Sequence, residues 1–480
     1  MKDIKKGSKV FINSLSTLIA LYPGGKEYGK KEKGGRSETM QYTINGITFH
    51  SMNALAGGSF SDICDIFKSD MPVVSMKEMV ESYGDPHKVR GTMASLSKKA
   101  FYAPIRNALW DDVRENKRYF NSLKSYHIAY AGRKSGILTD VKETRYSGQA
   151  VSYDKKSAYI GYFISDDTFP IGRPLETKRL DVLKELIKNN QWYKIVCDGK
   201  LDYLKDFYDY RVDMTALEYW DIKALNLLGL DGLIKRMLKE TDFTIMYTLK
   251  TGYLNKQFRD RLNELYTIKN RMSKDDPERF FVKTQLDMIY GKGIQWHDFS
   301  SKNELLAHYR GRGENYLLPH MSNHVCAHMR YDMVKVMVDR GQRDTIYADT
   351  DGIKLVNRDD LSGYFDELNS KIIQKNRVAG YDCDMGVWDF EGAFDKLVIF
   401  ARKIYCYEID GKITLKTAGM DERAKKAVLD SIKSIEEITA KGLPFFTKTI
   451  HYNPQTKQAQ AVYTGTIITN DKKVCYRKED

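Results

Sequence analysis

The stretch Tyr347-Ala-Asp-Thr-Asp-Gly-Ile-Lys-Leu355 constrains this chain more than any other. It sets two carboxylates, Asp349 and Asp351, two residues apart between short apolar runs. Thr345-Ile346-Tyr347 and Ile353-Lys354-Leu355 have strand composition, and the acids with Gly352 fall at the joint, so the spacing predicts a tight hairpin. Two carboxylates held in one turn repel each other unless a cation lies between them, so a divalent metal is the natural partner. A solvated Asp-Gly turn is the ordinary alternative, and the rest of the sequence decides between them.

With 480 residues the chain can bury a large core and divide into several domains. The net charge of +13 favours a polyanionic partner, nucleic acid first. The 32 tyrosines suit a nucleic-acid groove, where they stack on bases, although most of them will be core or surface. The six cysteines (Cys64, Cys197, Cys326, Cys383, Cys406, Cys475) form no Cys-x-x-Cys pair, which predicts reduced thiols and a cytoplasmic protein. No apolar run reaches membrane-spanning length, and no membrane partner is expected. Lysines precede Val10–Leu21 as in a signal peptide, but Asn13, Ser14, Ser16 and Thr17 interrupt the run, so a buried amphipathic segment is expected instead.

Along the chain, Pro23–Arg36 is Gly- and Lys-rich and is expected to be a mobile basic loop. Tyr42–Phe49 predicts a hairpin about Asn45-Gly46. Helices are expected over 60–67 and 105–124. Ala150-Val-Ser-Tyr-Asp154 is a short apolar strand that ends in an acid, and an apolar segment follows at 160–163. A mixed insert spans 166–255, with a helix over 181–188 and a strand over 192–197. Two helices, 256–272 and 278–290, flank the polar break Ser273–Pro277 and form a finger-like hairpin. Residues 292–319 are loop-rich, and a helix over 320–340 is capped by Gly341. Further strands are expected at 398–400, 404–407 and 413–415.

A strand ending in Asp154 and a hairpin carrying Asp349 and Asp351 can join three carboxylates from distant sequence, the arrangement that two-metal phosphoryl transfer needs. On the helix from Glu278, the residues Arg279, Lys283, Asp287 and Tyr290 share a face, which suits a triphosphate and a base. An ordinary solvated face with one buried Tyr is the alternative. His320, His324 and His328 share a face of the 320–340 helix, with Cys326 nearby, and could bind zinc; a packed helix is the expected reading.

Asp154-Lys-Lys-Ser-Ala-Tyr159, Lys283–Gly291 and Tyr347–Gly352 resemble motifs A, B and C of family B DNA polymerases, most closely the protein-primed subgroup of tailed phages, adenoviruses and linear plasmids. Tyr130-Ala-Gly-Arg133 resembles the motif linking exonuclease and polymerase modules. Lys403-Ile-Tyr405 resembles the motif holding the primer end, and Lys416–Met420 the stretch entering the thumb. The likeness runs in family order over about residues 129–480.

The resemblance implies an α+β right-hand polymerase fold with an antiparallel-sheet palm, helical-hairpin fingers, a small thumb and an N-terminal exonuclease-like remnant. The implied division is 1–128 remnant, 129–165 palm, 166–255 insertion contacting a priming protein, 256–292 fingers, 293–325 second insertion, 326–412 palm and 413–480 thumb. Asp154 and Asp351 would ligate two Mg²⁺ ions (Mn²⁺ as a substitute), with Asp349 beside them as the third catalytic acid. Tyr159 would exclude a 2′-hydroxyl, Arg279 and Lys283 would grip the triphosphate, and Tyr290 would border the nascent pair. Lys403, Tyr405, Tyr130, Gly132 and Arg133 would meet primer or DNA. Implied partners are DNA template and primer, dNTPs, a terminal (priming) protein, and a companion chain completing the exonuclease domain, in viral or plasmid replication in the host cytoplasm.

The chain departs from the family pattern at several points. Asp287-Met288 stands where motif B has Asn-Ser, Gly352 where motif C has Ser, and Ile160 where motif A has Pro. Asp287 costs triphosphate affinity unless it pairs with Arg279 or Lys283. Residues 1–50 contain no Asp-x-Glu pair, so 3′–5′ exonuclease activity is not expected, although Phe49–Gly58 resembles a distal part of that domain. A catalytically inactive, DNA-binding replication scaffold is the alternative function. A reverse transcriptase is disfavoured because its hairpin acids are adjacent, whereas Thr350 separates them here.

Overall fold

The acidic stretch forms the expected hairpin, and its place in a larger sheet follows from the chain around it. The structure is a computed structural model. It describes residues 9–12, 15, 18–19, 23–33, 36–51, 93–116, 119–120, 122–132, 145–207, 211–273, 276–310, 315–341, 344–356, 361–401, 403–418, 420, 422–453 and 458–468. The expected helix at 60–67, most of 49–58 and Arg133 lie outside the described residues. The chain divides into two compact units: residues 1–113, 260–292 and 311–316 form the first, and the remainder forms the second.

In the first unit, strands β1 (Lys9–Ile12), β2 (Lys26–Lys33), β3 (Arg36–Ile44) and β4 (Ile47–Ser51) form one sheet in the order β1-β4-β3-β2. The predicted turn is present, with Asn45 at φ 52° and Gly46 at φ 76°, the positive angles that a tight hairpin turn demands. The Gly- and Lys-rich stretch is not a loop: its residues 26–33 pair antiparallel with β3, so ladder hydrogen bonds override its poor strand composition. Val10 lies in β1, parallel to β4, and Leu15 is buried with Tyr42, Ile47 and Phe49.

The single helix expected over 105–124 is two. Trp110–Asn116 ends before Ser122, whose hydroxyl accepts the Ser125 N–H and starts a new helix, Leu123–Tyr130. The finger-like pair forms as Lys256–Arg271 and Pro277–Gly293, the second running past Gly291. Arg279 Nε donates to the Lys269 carbonyl across the joint (3.2 Å).

The second unit is built on a six-stranded antiparallel sheet. Its strands are β5 (Arg145–Lys155), β12 (Thr345–Asp349), β13 (Gly352–Val356), β14 (Trp388–Ala401), β15 (Ile404–Ile409) and β16 (Lys412–Thr417), ordered β12-β13-β5-β14-β15-β16. Strand alternation splits β5: Ala150, Ser152 and Asp154 line one face, Val151 and Tyr153 the other. Tyr153 stacks on Phe365 of the helix Ser362–Val378 (3.6 Å), while Ala150 packs with Ile346, Phe394, Leu397 and Ile399. The helix Ser362–Val378 thus covers the Tyr153 face, and Asp154 lies near the end of β5 on the other.

The insert carries β6 (Phe169–Pro170), β7 (Leu175–Thr177), β8 (Tyr193–Asp198), β9 (Met214–Glu218), β10 (Phe243–Tyr247) and β11 (Thr251–Gly252). Four of these form a second antiparallel sheet, β7-β10-β8-β9. The helix Pro319–Arg340 runs to Gly341 (φ 91°) and leads into β12. A last hairpin, β17 (Leu443–Asn453) with β18 (Gln458–Ile468), follows two short helices. Among the described residues no helix is long and apolar enough to cross a membrane.

Candidate active site

Register brings the distant acids together. Gly352 pairs with Asp154 across β13 and β5, and the Lys155 N–H donates to the Asp351 carbonyl (3.0 Å). An alanine-sized Cβ at Gly352 would lie 2.9 Å from Asp154 Oδ1, so glycine here leaves room for that carboxylate beside the turn. Thr350 occupies the turn at φ 58°, and Ser157 (φ 47°), just after β5, and Lys403 (φ 62°), whose N–H meets Tyr347, are also left-handed. Such backbone strain gathers where geometry serves a site rather than stability.

The electrostatics match a cation site. Burial, then the fields of Asp351, Glu391 and Asp389, push the Asp154 carboxyl up to about 7, and Lys354 only partly opposes them. Burial likewise raises Asp351, with Asp349 and Glu391 adding to it and Lys403 opposing. Asp349 is held differently: its Oδ1 accepts from Thr350 Oγ1 (2.9 Å), its Oδ2 from the Tyr347 hydroxyl (3.0 Å), and that hydroxyl accepts the Lys403 N–H (3.0 Å). Burial and like charge thus act on both Asp154 and Asp351, and hydrogen bonds fix Asp349 in the same turn.

Tyr159, on the helix Ala158–Ser165, is raised well above the usual phenol range by burial and by Cys326, Asp351 and Asp349, which places it in the same field. Tyr405 is half-buried, its ring 5.6 Å from Tyr347 and under the Lys354 ammonium (4.7 Å). Tyr130 is fully buried: its ring packs edge-on against Trp296 (4.7 Å), and its carbonyl accepts from Asn323 Nδ2. Gly132 (φ 78°) packs its backbone against Ala216. Both act as core in this structure. Arg279, Lys283 and Tyr290 lie on the helix Pro277–Gly293 of the first unit, with Lys283 exposed. Desolvation pushes the Asp287 carboxyl up, while Lys283 and Lys269 oppose the shift.

Sequence reasoning missed a charged relay under the acids. Lys354 Nζ donates to Ser152 Oγ (3.1 Å), whose hydroxyl donates to Glu391 Oε2 (2.9 Å). Glu391 is the extra residue of a β-bulge between Phe390 and Gly392, and the bulge turns it toward this face. A lysine inside the apolar run Ile353–Leu355, and a glycine inside strand β14, were the available signals. The zinc candidates also resolve differently: His320 is buried beside Trp192, and burial together with Lys194 pushes it down to about 3. Instead His324 and His328 meet Asp166, and among the described residues these are the metal-type ligand atoms that lie mutually within 4.8 Å.

No protein-family model and no curated protein matches the chain. Solved structures do. A Phi29 DNA polymerase in an orthorhombic crystal form superposes with a TM-score of 0.59 at 15% identity, covering 96% of this chain and 91% of that one. Phi29 DNA polymerase with primer-template DNA and incoming nucleotide gives 0.55 at 14%, covering 92% and 82%. Its binary complex with primer-template DNA gives 0.54 at 17%, with the same coverage. The chain therefore has the fold of a DNA polymerase. In particular the fold is similar to that of the phage Phi29 enzyme, the type of family B polymerase its motif order resembles.

Proposed function

We propose that this chain is a template-directed DNA polymerase that extends a primer 3′-hydroxyl, or a protein hydroxyl, with dNTPs in viral or plasmid DNA replication in the host cytoplasm. The observation that carries this reading is the β5–β13 register, which places Asp154 beside Asp351 although nearly two hundred residues separate them. The carboxylates of Asp154 and Asp351 fit a pair of Mg²⁺ ions, which when bound would lower the pKa of the attacking hydroxyl and stabilise the leaving pyrophosphate. Asp349 is oriented by Tyr347 and Thr350, and through Tyr347 it is tied to the backbone of Lys403. Lys403 and Tyr405 hold the primer end, and Tyr159 lies under the sugar. Arg279 and Lys283 grip the triphosphate, and Tyr290 borders the new pair. On this reading the palm, fingers, thumb and insertions take the boundaries the motifs imply, with an exonuclease-like region before residue 129 and a terminal protein as primer.

Primer extension on a DNA template tests this. The unaltered chain should incorporate dNTPs with Mg²⁺ or Mn²⁺, and Asp351→Asn should lose activity by on the order of a thousandfold, the scale of a lost metal ligand. Mismatched 3′ ends should not be excised. The second reading, an inactive scaffold, draws on Asp287, which adds negative charge to the implied triphosphate face. DNA binding without extension by the unaltered chain would select it.

A further inference from the structure

A second, buried constellation joins the helix that follows β5 to the helix that precedes β12. Asp166 caps the helix Ala158–Ser165, and its N–H donates to the Tyr162 carbonyl. His324 and His328 stand one turn apart on the helix Pro319–Arg340. His324 Nε2 lies 3.1 Å from Asp166 Oδ2, and His328 Nδ1 lies 2.6 Å from the same oxygen. We propose that Asp166, His324 and His328 bind a zinc ion that ties these two helices together.

The outer contacts are those of a metal centre. The other nitrogen of His324, Nδ1, faces Glu218 Oε1 at 2.7 Å, the carboxylate partner that orients a ligating imidazole. His328 Nε2 faces Asp332 Oδ1 at 3.9 Å, and its ring is clamped against Trp220 (3.8 Å, 11°). Asp166 Oδ1 is taken by the Thr168 N–H (2.9 Å) and hydroxyl (2.6 Å), with Lys375 Nζ at 4.0 Å, which leaves Oδ2 for the ion.

The Trp220 indole N–H (3.3 Å) and the Thr168 hydroxyl (3.1 Å) lie beside the same His324 nitrogen, Nε2. An ion on the Nε2 lone pair meets the Asp166 carboxylate with opposite charge. Ligands around a tetrahedral zinc stand roughly 3.3 Å apart, so His324 Nε2, 3.1 Å from Asp166 Oδ2, is already near that spacing, while His328 Nδ1, at 2.6 Å, must draw back by roughly 0.7 Å. Asp332 pairs with Lys155 and Asp221 with Arg330, while Asp166 and Glu218 both turn to the imidazoles, with Lys375 at the other oxygen of Asp166. Mg²⁺ and Ca²⁺ prefer oxygen-only shells, and two imidazoles with one carboxylate suit zinc. An open cavity of about 260 Å³, lined by Tyr162, Ser165, His328, Asp332 and Lys375, reaches the His328 side of the cluster.

This site does not depend on the polymerase reading. The test strips the full chain with a chelator, adds Zn²⁺ or Co²⁺, removes free ion by gel filtration, and reads metal content, the Co²⁺ visible spectrum and Tm. The expected result is one zinc per chain, intense bands from four-coordinate Co²⁺, and a higher Tm with zinc. Asp351→Asn should retain all three, because oxygen-only ligation at the acidic hairpin gives six-coordinate, weakly absorbing Co²⁺. Asp166→Asn and His328→Phe should lose them. A folded, unaltered chain that retains no zinc and shows no such spectrum overturns the proposal whatever the variants do. So does zinc lost in Asp351→Asn but kept in Asp166→Asn.

Discussion

A single residue can carry a pH dependence that nothing nearby in sequence announces. Lys194 is buried in strand β8, and its ammonium donates to the Ala129 carbonyl (3.0 Å). Burial lowers it to about 7, Arg330 adds to that, and Glu218 and Asp221 oppose. The unfolded chain keeps the ordinary value of 10.5, so between the two values the unfolded state binds more protons and stability rises with pH. Thermal unfolding from pH 7 to 10 should show this rise, and Lys194→Met should flatten it. The prediction fails if the unaltered chain and the variant have parallel profiles. Lys354 is a similar lysine in an apolar strand, lowered mainly by burial, but it is tied to the acids through Ser152 and Glu391.

At the scale of elements, the close crossing behind the acid strand sets the tolerance. Gly161, in the helix Ala158–Ser165, faces Gly386: a Cβ there would lie 2.9 Å from the Gly386 Cα and N. Backbone cannot move aside as a flexible side chain can. The crossing is fastened by the Lys156 N–H to the Val387 carbonyl (2.9 Å) and the Gly386 N–H to the Lys156 carbonyl (2.7 Å). Gly161→Ala should therefore cost about 1–3 kcal/mol, the range for overpacking, and lower Tm. On the polymerase reading, in which Tyr159 of this helix lies under the sugar, nucleotide selection should loosen with it. An unchanged Tm would mean that the two backbones are less tightly opposed than they stand here.

For the whole molecule, the charge of +13 is the property that matters for a polyanion. On the polymerase reading, primer-template affinity should fall by on the order of tenfold or more as salt rises from roughly 50 to 200 mM, because bound cations leave the DNA when lysines and arginines replace them. Fluorescence anisotropy across a salt series measures the slope, and a flat response would rule out a phosphate-dominated interface.

Local pattern carried much of this chain. The acidic hairpin, the Asn45-Gly46 turn and the helices 256–271 and 319–340 are set by side-chain period and by turn chemistry within a few residues, so the sequence alone determined them. The Gly- and Lys-rich stretch misled for the same reason: its strand depends on the partner β3, not on its own composition. The pairing of Asp154 with the Gly352 turn, the bulge that aims Glu391, the burial of Tyr130 and the meeting of Asp166 with His324 and His328 were decided only by tertiary structure. Each joins residues far apart in the chain, and such contacts are fixed by register and packing across the whole core, which no local window of sequence contains.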